Sequence, residues 1–333
     1  MRLFFLLAML VSVNVFPLKY AIDEMTFWYG FDRKINPFTL WIKKHAPHAE
    51  LVRITQKPDV IICGIHGRNK TQGAIAYYKK IAPSAKRVVC YSQEPRMVKN
   101  NGKYDHFFSF TREFTKKNTY MPNWLYRAFD WNLIGNDAYY NLLLYNKRAL
   151  NHDRPKFCCF LHKNEADFRG RFLATMAKKY KTIDCGGKLH NNIGRLVGTG
   201  VENKMKFFSQ YKFCMAMENN QLKDYCTEKL VDGLMSGALP IYWGDPDVAN
   251  DFNPELFINV KNGKDVSRAI SLIKHLDQNP EAYLSYFEKP VASQFIRDLL
   301  TTKREQYEKW VVSKILGIDL GDKPLMYHSF QEN

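Results

Sequence analysis

The chain has seven cysteines in 333 residues, no CxxC pair, and no cysteine after Cys226. That removes zinc ribbons and disulfide-stapled small domains from consideration. Most of the thiols sit inside apolar runs, where cysteine acts as a small hydrophobe, and this usage favours a reducing compartment. Acidic residues are also scarce: 33 Asp and Glu stand against 49 Lys and Arg, a net charge of +16. Such an excess asks for a partner or field of negative sign: nucleic acid, an anionic membrane surface, or a nucleotide carrying phosphates. The basic residues are dispersed, in doublets such as Lys79-Lys80 and Lys116-Lys117, with no recognisable nucleic-acid motif, so no nucleic-acid partner is expected. Long apolar runs are nearly absent. Leu3–Val13, behind Arg2, falls short of the roughly 20 residues a membrane span needs but has the length of a signal h-region. Residues 1–22 are therefore expected to be a signal, an anchor or an unstructured leader. Peripheral or N-terminal membrane association and the secretory pathway thus stay open beside a cytoplasmic placement.

What is present is a packed globular chain, 46% hydrophobic and 14% aromatic, without repeats or low-complexity tracts. Strand-like runs stand at Met25–Tyr29, Asp59–Cys63, Arg87–Tyr91 and His106–Ser109, with helical spacing at Phe38–His45 and Gly73–Ile81. After a polar lapse around Asn146–Lys156 the alternation resumes. It gives a strand at Phe157–Leu161, a helix at Arg169–Lys178, a strand near Ile183 and a helix around Lys204–Gln210. Strand Leu256–Val260, helix Lys264–Gln278 and the amphipathic Ile296–Val312 follow. Alternating strands and helices imply α/β domains with parallel sheets covered on both faces. The expected division is 23–150, 151–290, and a C-terminal helix and tail over 291–333.

The most informative segment is Tyr211–Pro254. An apolar strand ends in Glu218-Asn219-Asn220, a polar turn passes through Lys223-Asp224, and Thr227 is placed to cap a helix. A second strand follows at Ala238–Trp243. Glu228 in the first turn suits the helix dipole, and Lys229 brings an ammonium to a helix start that already favours anions. Tyr211-Lys212-Phe213, Glu218-Asn219, Asp224-Tyr225, Thr227-Glu228-Lys229 and Pro240-Ile241-Tyr242-Trp243-Gly244 stand in register with a known signature. The segment closely resembles that of the family 10 glycosyltransferases, the α1,3/α1,4-fucosyltransferases, and is nearest in pattern to bacterial members. The likeness runs from about 157 to 290, and more weakly from 27 to 124.

That resemblance implies the glycosyltransferase B fold, two Rossmann-like domains facing a cleft. The first domain would receive a glycan acceptor and the second would hold GDP-fucose. It implies an inverting transfer of L-fucose from GDP-β-L-fucose to a hydroxyl, expected to be O3, of N-acetylglucosamine or glucose. Other readings kept open are an inactive glycan- or nucleotide-binding protein of this fold and a transferase using another nucleotide-sugar. By family position Glu94, which follows the strand Arg87–Tyr91, is the general base. Arg169 and Lys229 would meet the diphosphate, Glu228 the ribose hydroxyls, and Asn219 and Tyr225 would line the donor pocket. Gln93-Glu94-Pro95 replaces the family's Gly-Glu-Asn, and His162-Lys163-Asn164 replaces the Ser-Asn before its arginine. The Asp184-Cys185-Gly186-Gly187 turn suits a close backbone approach. Asp245-Pro246-Asp247 looks like a metal-binding DxD but aligns with a variable segment, so no metal site and no required cofactor are expected. A divalent cation would at most stimulate by screening the diphosphate.

Overall fold

The computed structural model describes residues 17–28, 30–65, 74–94, 104–148, 154–321 and 325. The apolar run at Leu3–Val13 lies outside them.

The first half builds β1 (Lys19–Asp23), α1 (Pro37–His45), β2 (Glu50–Leu51), β3 (Val60–Cys63), α2 (Ala74–Ile81), β4 (Arg87–Tyr91), β5 (His106–Ser109) and β6 (Asn118–Tyr120). These strands pair in parallel in the order β2-β1-β3-β4-β5-β6. Burial along β3 and along Val88–Tyr91 of β4 explains why these stretches read as unbroken apolar runs. Asn36 caps α1 by accepting from the Thr39 amide, and Pro37 supplies a fitted first helical residue. The helices α3 (Asn123–Leu133) and α4 (Ala138–Tyr145) follow.

The first strand is not at Met25–Tyr29 as the sequence suggests. It is Lys19–Asp23, which begins inside the expected 1–22 leader and sits between β2 and β3. Glu24–Thr26 makes one 3-10 turn, and the aromatics that follow pack on one another instead of extending. Phe27 stacks on Phe31 at 4.1 Å, and Trp28 meets Tyr126 edge-on at 5.2 Å.

The second half builds β7 (Lys156–Phe160), α5 (Asp167–Lys179), β8 (Asp184–Cys185), α6 (Val201–Phe208) and β9 (Tyr211–Met217). It continues through α7 (Glu228–Met235), β10 (Leu239–Trp243), β11 (Ile258–Asn259), α8 (Val266–Gln278) and α9 (Pro280–Leu284). Its sheet is also parallel, in the order β11-β10-β9-β7-β8. All seven cysteines are buried and free. Among the described residues no helix is long and apolar enough to cross a membrane.

The amphipathic segment read as one unit, Ile296–Val312, is two helices, α10 (Gln294–Leu300) and α11 (Arg304–Leu316), broken at Thr301–Lys303. The break lets α11 return to the first sheet. Its buried Glu308 takes Lys44 at 2.6 Å and His45 at 2.9 Å from α1, and Arg304 from its own helix at 2.9 Å. Tyr307 donates to the Tyr120 carbonyl at 2.8 Å, and Trp310 donates to Thr119 at 2.8 Å.

The two sheets are also joined by a charge. Arg112, on the loop between β5 and β6, meets Asp224 at 2.7 Å, Asp245 at 2.6 Å and Asp251 at 2.5 Å, all from the second half. Tyr120 adds a hydroxyl to Asp251 at 2.7 Å. Burial pushes the Asp245 carboxyl above its usual range, and Arg112 pulls it back. The DxD look-alike is thus a structural tie: Asp245 serves Arg112 and the amides of Asp224 and Asp247.

Replacing Arg112 by methionine strands three buried carboxylates, and removing one partner of such a cluster costs about 3–5 kcal/mol. Urea unfolding of Arg112→Met is expected to show that loss at pH 8. A change below about 1 kcal/mol at pH 8 would refute this account.

Candidate active site

A cleft of about 1030 Å³ opens between the two halves, at the carboxyl ends of strands from both sheets. This is where parallel α/β sheets place their ligands. Trp28, Gln93, Asn123, Arg127 and Asp130 line it from the first half. The opposite wall holds the β7–α5 loop, the Gly186-Gly187 turn, and Asn219, Glu228 and Lys229 beside the start of α7. The glycine turn is tight as its sequence suggests: a Cβ on Gly187 would stand 2.3 Å from the His162 carbonyl oxygen. Asn192 holds the same loop by accepting from the Cys185 amide at 2.7 Å, which leaves Lys188 facing the cleft.

The start of α7 is organised around a carboxylate that carried no predicted role. Glu218 ends β9 wholly buried, and accepts from the Thr227 amide at 2.8 Å, the Thr227 hydroxyl at 2.8 Å and the Lys229 ammonium at 2.8 Å. Thr227 caps the helix as expected. Lys229 is therefore a paired ammonium, fixed by Glu218 and Thr227, with its side chain 25% exposed. Burial works against its charge, yet Glu218 and Glu228 hold it above the usual lysine range. Burial would likewise raise Glu228, but Lys229, Lys204 and Arg127 hold its carboxyl well below the usual range. A second buried carboxylate, Asp232, ties Arg127 (3.2 Å), Lys204 (2.8 Å) and the Tyr139 hydroxyl (2.5 Å) to α7.

Arg169 is the exception. Only 1% exposed, it meets no carboxylate within salt-bridge distance among the described residues. Its guanidinium donates to the Asn164 carbonyl at 3.2 Å, the Met217 carbonyl at 2.5 Å and the Asn219 amide oxygen at 2.8 Å, while its Nε finds no partner. It also lies over the Phe160 ring at 5.7 Å. Burial of an arginine without a carboxylate is costly, and its pKa is lowered accordingly. A cationic fork kept at a cleft wall in this way is suited to an anion.

Arg169, Asn219, Glu228 and Lys229, to which the resemblance assigns donor-binding roles, thus stand together in one wall. Tyr225 and Glu94 do not line the cleft itself. Tyr225 is buried, edge-on to Phe110 at 5.1 Å, and burial raises its phenol, with further upward push from Glu218, Glu94 and Glu228. Glu94 is exposed just past β4, where its amide donates to the Ser92 hydroxyl at 3.2 Å. Its neighbour Gln93 reaches the cleft.

Sequence reasoning passed over Asp130. It sits on α3 facing the cleft, and burial raises its carboxyl to about 6, with Arg127 opposing. A folded-state pKa above the unfolded value near 4 means that its stabilising contribution is full at low pH and lost as pH rises through about 6. Asp130→Asn is therefore expected to gain about 1–3 kcal/mol over the parent at pH 8 and nothing at pH 4, read from urea midpoints at both values. An equal difference at the two pH values would contradict the shift.

Comparison with known proteins bears on this geometry. Residues 152–313 match the family model described as glycosyltransferase family 10 (fucosyltransferase) C-term. An alpha-(1,3)-fucosyltransferase of Helicobacter pylori is 39% identical over 163 residues, 48% of this chain and 32% of that protein. GDP-fucose protein O-fucosyltransferase 3 of Gallus gallus is 35% identical over 119 residues, 34% of this chain and 24% of that protein. The chain thus spans a third or less of these curated relatives. A crystal structure of an alpha1,3-fucosyltransferase superposes with a TM-score of 0.67 at 23% identity, over 95% of both chains. One with GDP-fucose gives a TM-score of 0.63 at 23% identity, over 94% of this chain and 93% of that one. The fold is the glycosyltransferase B arrangement of two parallel-sheet units around a cleft. Residues 152–313 of this chain are thus similar to the C-terminal domain of glycosyltransferase family 10, the fucosyltransferase family.

Proposed function

We propose that the protein is an inverting fucosyltransferase that moves L-fucose from GDP-β-L-fucose to a hydroxyl, O3 of N-acetylglucosamine or glucose, in a glycan. The observation that carries this reading is Arg169. A buried guanidinium without a carboxylate stands 2.8 Å from Asn219, in the wall that also presents Lys229 at the start of α7. That wall suits the diphosphate of a nucleotide-sugar. GDP-fucose is named for the Gallus gallus relative and for one of the crystal structures, and the Helicobacter pylori relative is named a fucosyltransferase, which supports the choice of sugar.

In the transfer the acceptor oxygen attacks the anomeric carbon as the bond from that carbon to the diphosphate breaks, so one displacement inverts the centre. The departing GDP gains negative charge, which Arg169 and Lys229 offset. Lys229 is held in place by Glu218, so it need not reorganise as that charge develops. Glu228 would accept from the ribose hydroxyls, a role that its lowered pKa suits because it stays an acceptor. Asn219 would orient the donor sugar beside Arg169, and Tyr225 would back the pocket from beneath. Glu94 would take the acceptor proton from the end of β4. No divalent cation enters these steps.

The test is labelled transfer from GDP-fucose to N-acetyllactosamine, with GDP binding measured in parallel. Wild-type protein is expected to transfer. Glu94→Gln is expected to lose about 10²–10⁴-fold in rate while still binding GDP. Arg169→Lys is expected to weaken GDP by about 10- to 100-fold, because a single ammonium cannot replace the fork. Full transfer by Glu94→Gln would remove it as the base. Wild-type protein that binds no GDP would overturn the donor assignment.

A further inference from the structure

We propose that His162, Glu165 and His190 form a binding site for a divalent metal of the Zn²⁺ class at the rim of the cleft. One ligand atom from each residue lies within 4.8 Å of the other two. His162 and Glu165 come from the β7–α5 loop, and His190 comes from the facing loop after β8. The two loops are already clamped: the Lys188 amide donates to the His162 carbonyl at 3.1 Å, and Gly187 leaves no room there for a side chain.

The observation that points to a ligand is His162 itself. Its side chain is 7% exposed, and neither ring nitrogen has a partner among the described residues. A buried imidazole normally hydrogen-bonds through at least one nitrogen. Stacking accounts for its faces, with Phe160 at 4.1 Å on one contact and His190 at 5.4 Å on another, but not for its edges. The other two residues are within reach of each other, His190 Nε2 standing 3.1 Å from the Glu165 carboxylate.

Two imidazoles and one carboxylate select the kind of ion. Magnesium and calcium prefer all-oxygen shells, whereas zinc and cobalt accept this nitrogen–oxygen set with positions left for water or another ligand. A tetrahedral zinc site needs ligand atoms roughly 3.4 Å apart, so the trio must close somewhat. His162 is the fixed member. The side chains of His190 and Glu165 are 45% and 53% exposed and free to rotate onto an ion. The seven thiols, the usual rivals for zinc, are all buried. The site is independent of the donor assignment, since none of the three residues carries a step in the proposed transfer.

The test uses the full chain, freed of metal by chelator and titrated with Zn²⁺ by calorimetry. Co²⁺ reports the coordination by its visible absorption. One equivalent is expected to bind to the wild-type chain. His190→Gln and His162→Gln are each expected to lose at least about 100-fold in affinity and the Co²⁺ bands, and Glu165→Gln about 10-fold. His275→Gln, an exposed histidine on α8, is the control and is expected to bind as the wild type does. His190 is exposed, so its replacement tests the site even where His162→Gln folds poorly. A wild-type chain that binds no Zn²⁺, or a His190→Gln chain that binds it as tightly as the wild type, would overturn the proposal.

Discussion

Arg112 sets the relation between the two halves. It leaves the β5–β6 loop of the first sheet and ends among Asp224, Asp245 and Asp251, 112 to 139 residues further along the chain. Three carboxylates around one guanidinium are an expensive way to bury charge, and a set of apolar side chains of the same volume would serve stability as well or better. What the charged cluster adds is position. Asp224 belongs to the turn before α7, Asp245 follows β10 directly, and Asp251 follows the short helix after it. One residue of the first half thereby fixes the loops at the carboxyl ends of β9 and β10, where the cleft wall is made. The contact that joins the two sheets also shapes the site between them.

The same logic continues inside the cleft. Glu218 and Asp232 are fully buried carboxylates that face inward from β9 and α7, and each is spent on cations of the opposite or neighbouring element. Lys229, Lys204 and Arg127 are therefore placed before any ligand arrives, with their rotamers already restricted. An ammonium that must be ordered on binding costs side-chain entropy, and one that is already ordered does not. Among the described residues Arg169 has no such carboxylate, so the charge it carries into the wall is left for whatever enters. The reading of Lys229 as an ammonium brought to a helix start does not contain this division. Nothing in Glu218-Asn219-Asn220 shows that the first carboxylate points back into the protein to hold an ammonium eleven residues later.

How far the sequence discloses the molecule follows from the range of the interactions involved. Strands β3 and β4 are buried on both faces, so four consecutive apolar residues mark each, and α7 is announced by its own Thr227 cap. Local signals of this kind place the elements; the six site residues come from the family resemblance, and four of them stand in one wall. β1 escapes because Lys19 and Asp23 bracket only three buried residues. The aromatic run after it looks more like a strand than the strand does. The break between α10 and α11 has no glycine or proline to mark it; it exists because α11 must turn back onto α1. Arg112, Asp232, Asp130 and the His162–Glu165–His190 trio are invisible for a shared reason. Each depends on residues brought close only by the fold, and in one dimension each is an unremarkable polar residue.

The cleft is uneven in charge, and the unevenness divides its walls between two kinds of ligand. The second-half wall carries five cations, Lys163, Arg169, Lys188, Lys204 and Lys229, against two acids, Glu228 and Asp232, the latter shared between Lys204 and Arg127. Among the described residues the first-half wall offers Trp28, Gln93 and Asn123, with Arg127 paired to Asp232 and Asp130 as its acid. An anion is drawn to the former; a neutral polyol, which needs amides to hydrogen-bond and a ring face to lie against, is served by the latter. Asp130 sharpens the contrast, since an acid at the first wall repels phosphates from it. A diphosphate-bearing donor and an uncharged sugar acceptor would then bind in only one arrangement. In the proposed transfer the attacking hydroxyl would lie toward β4 and the leaving group toward α7, a polarity that the two walls would set before either ligand is bound.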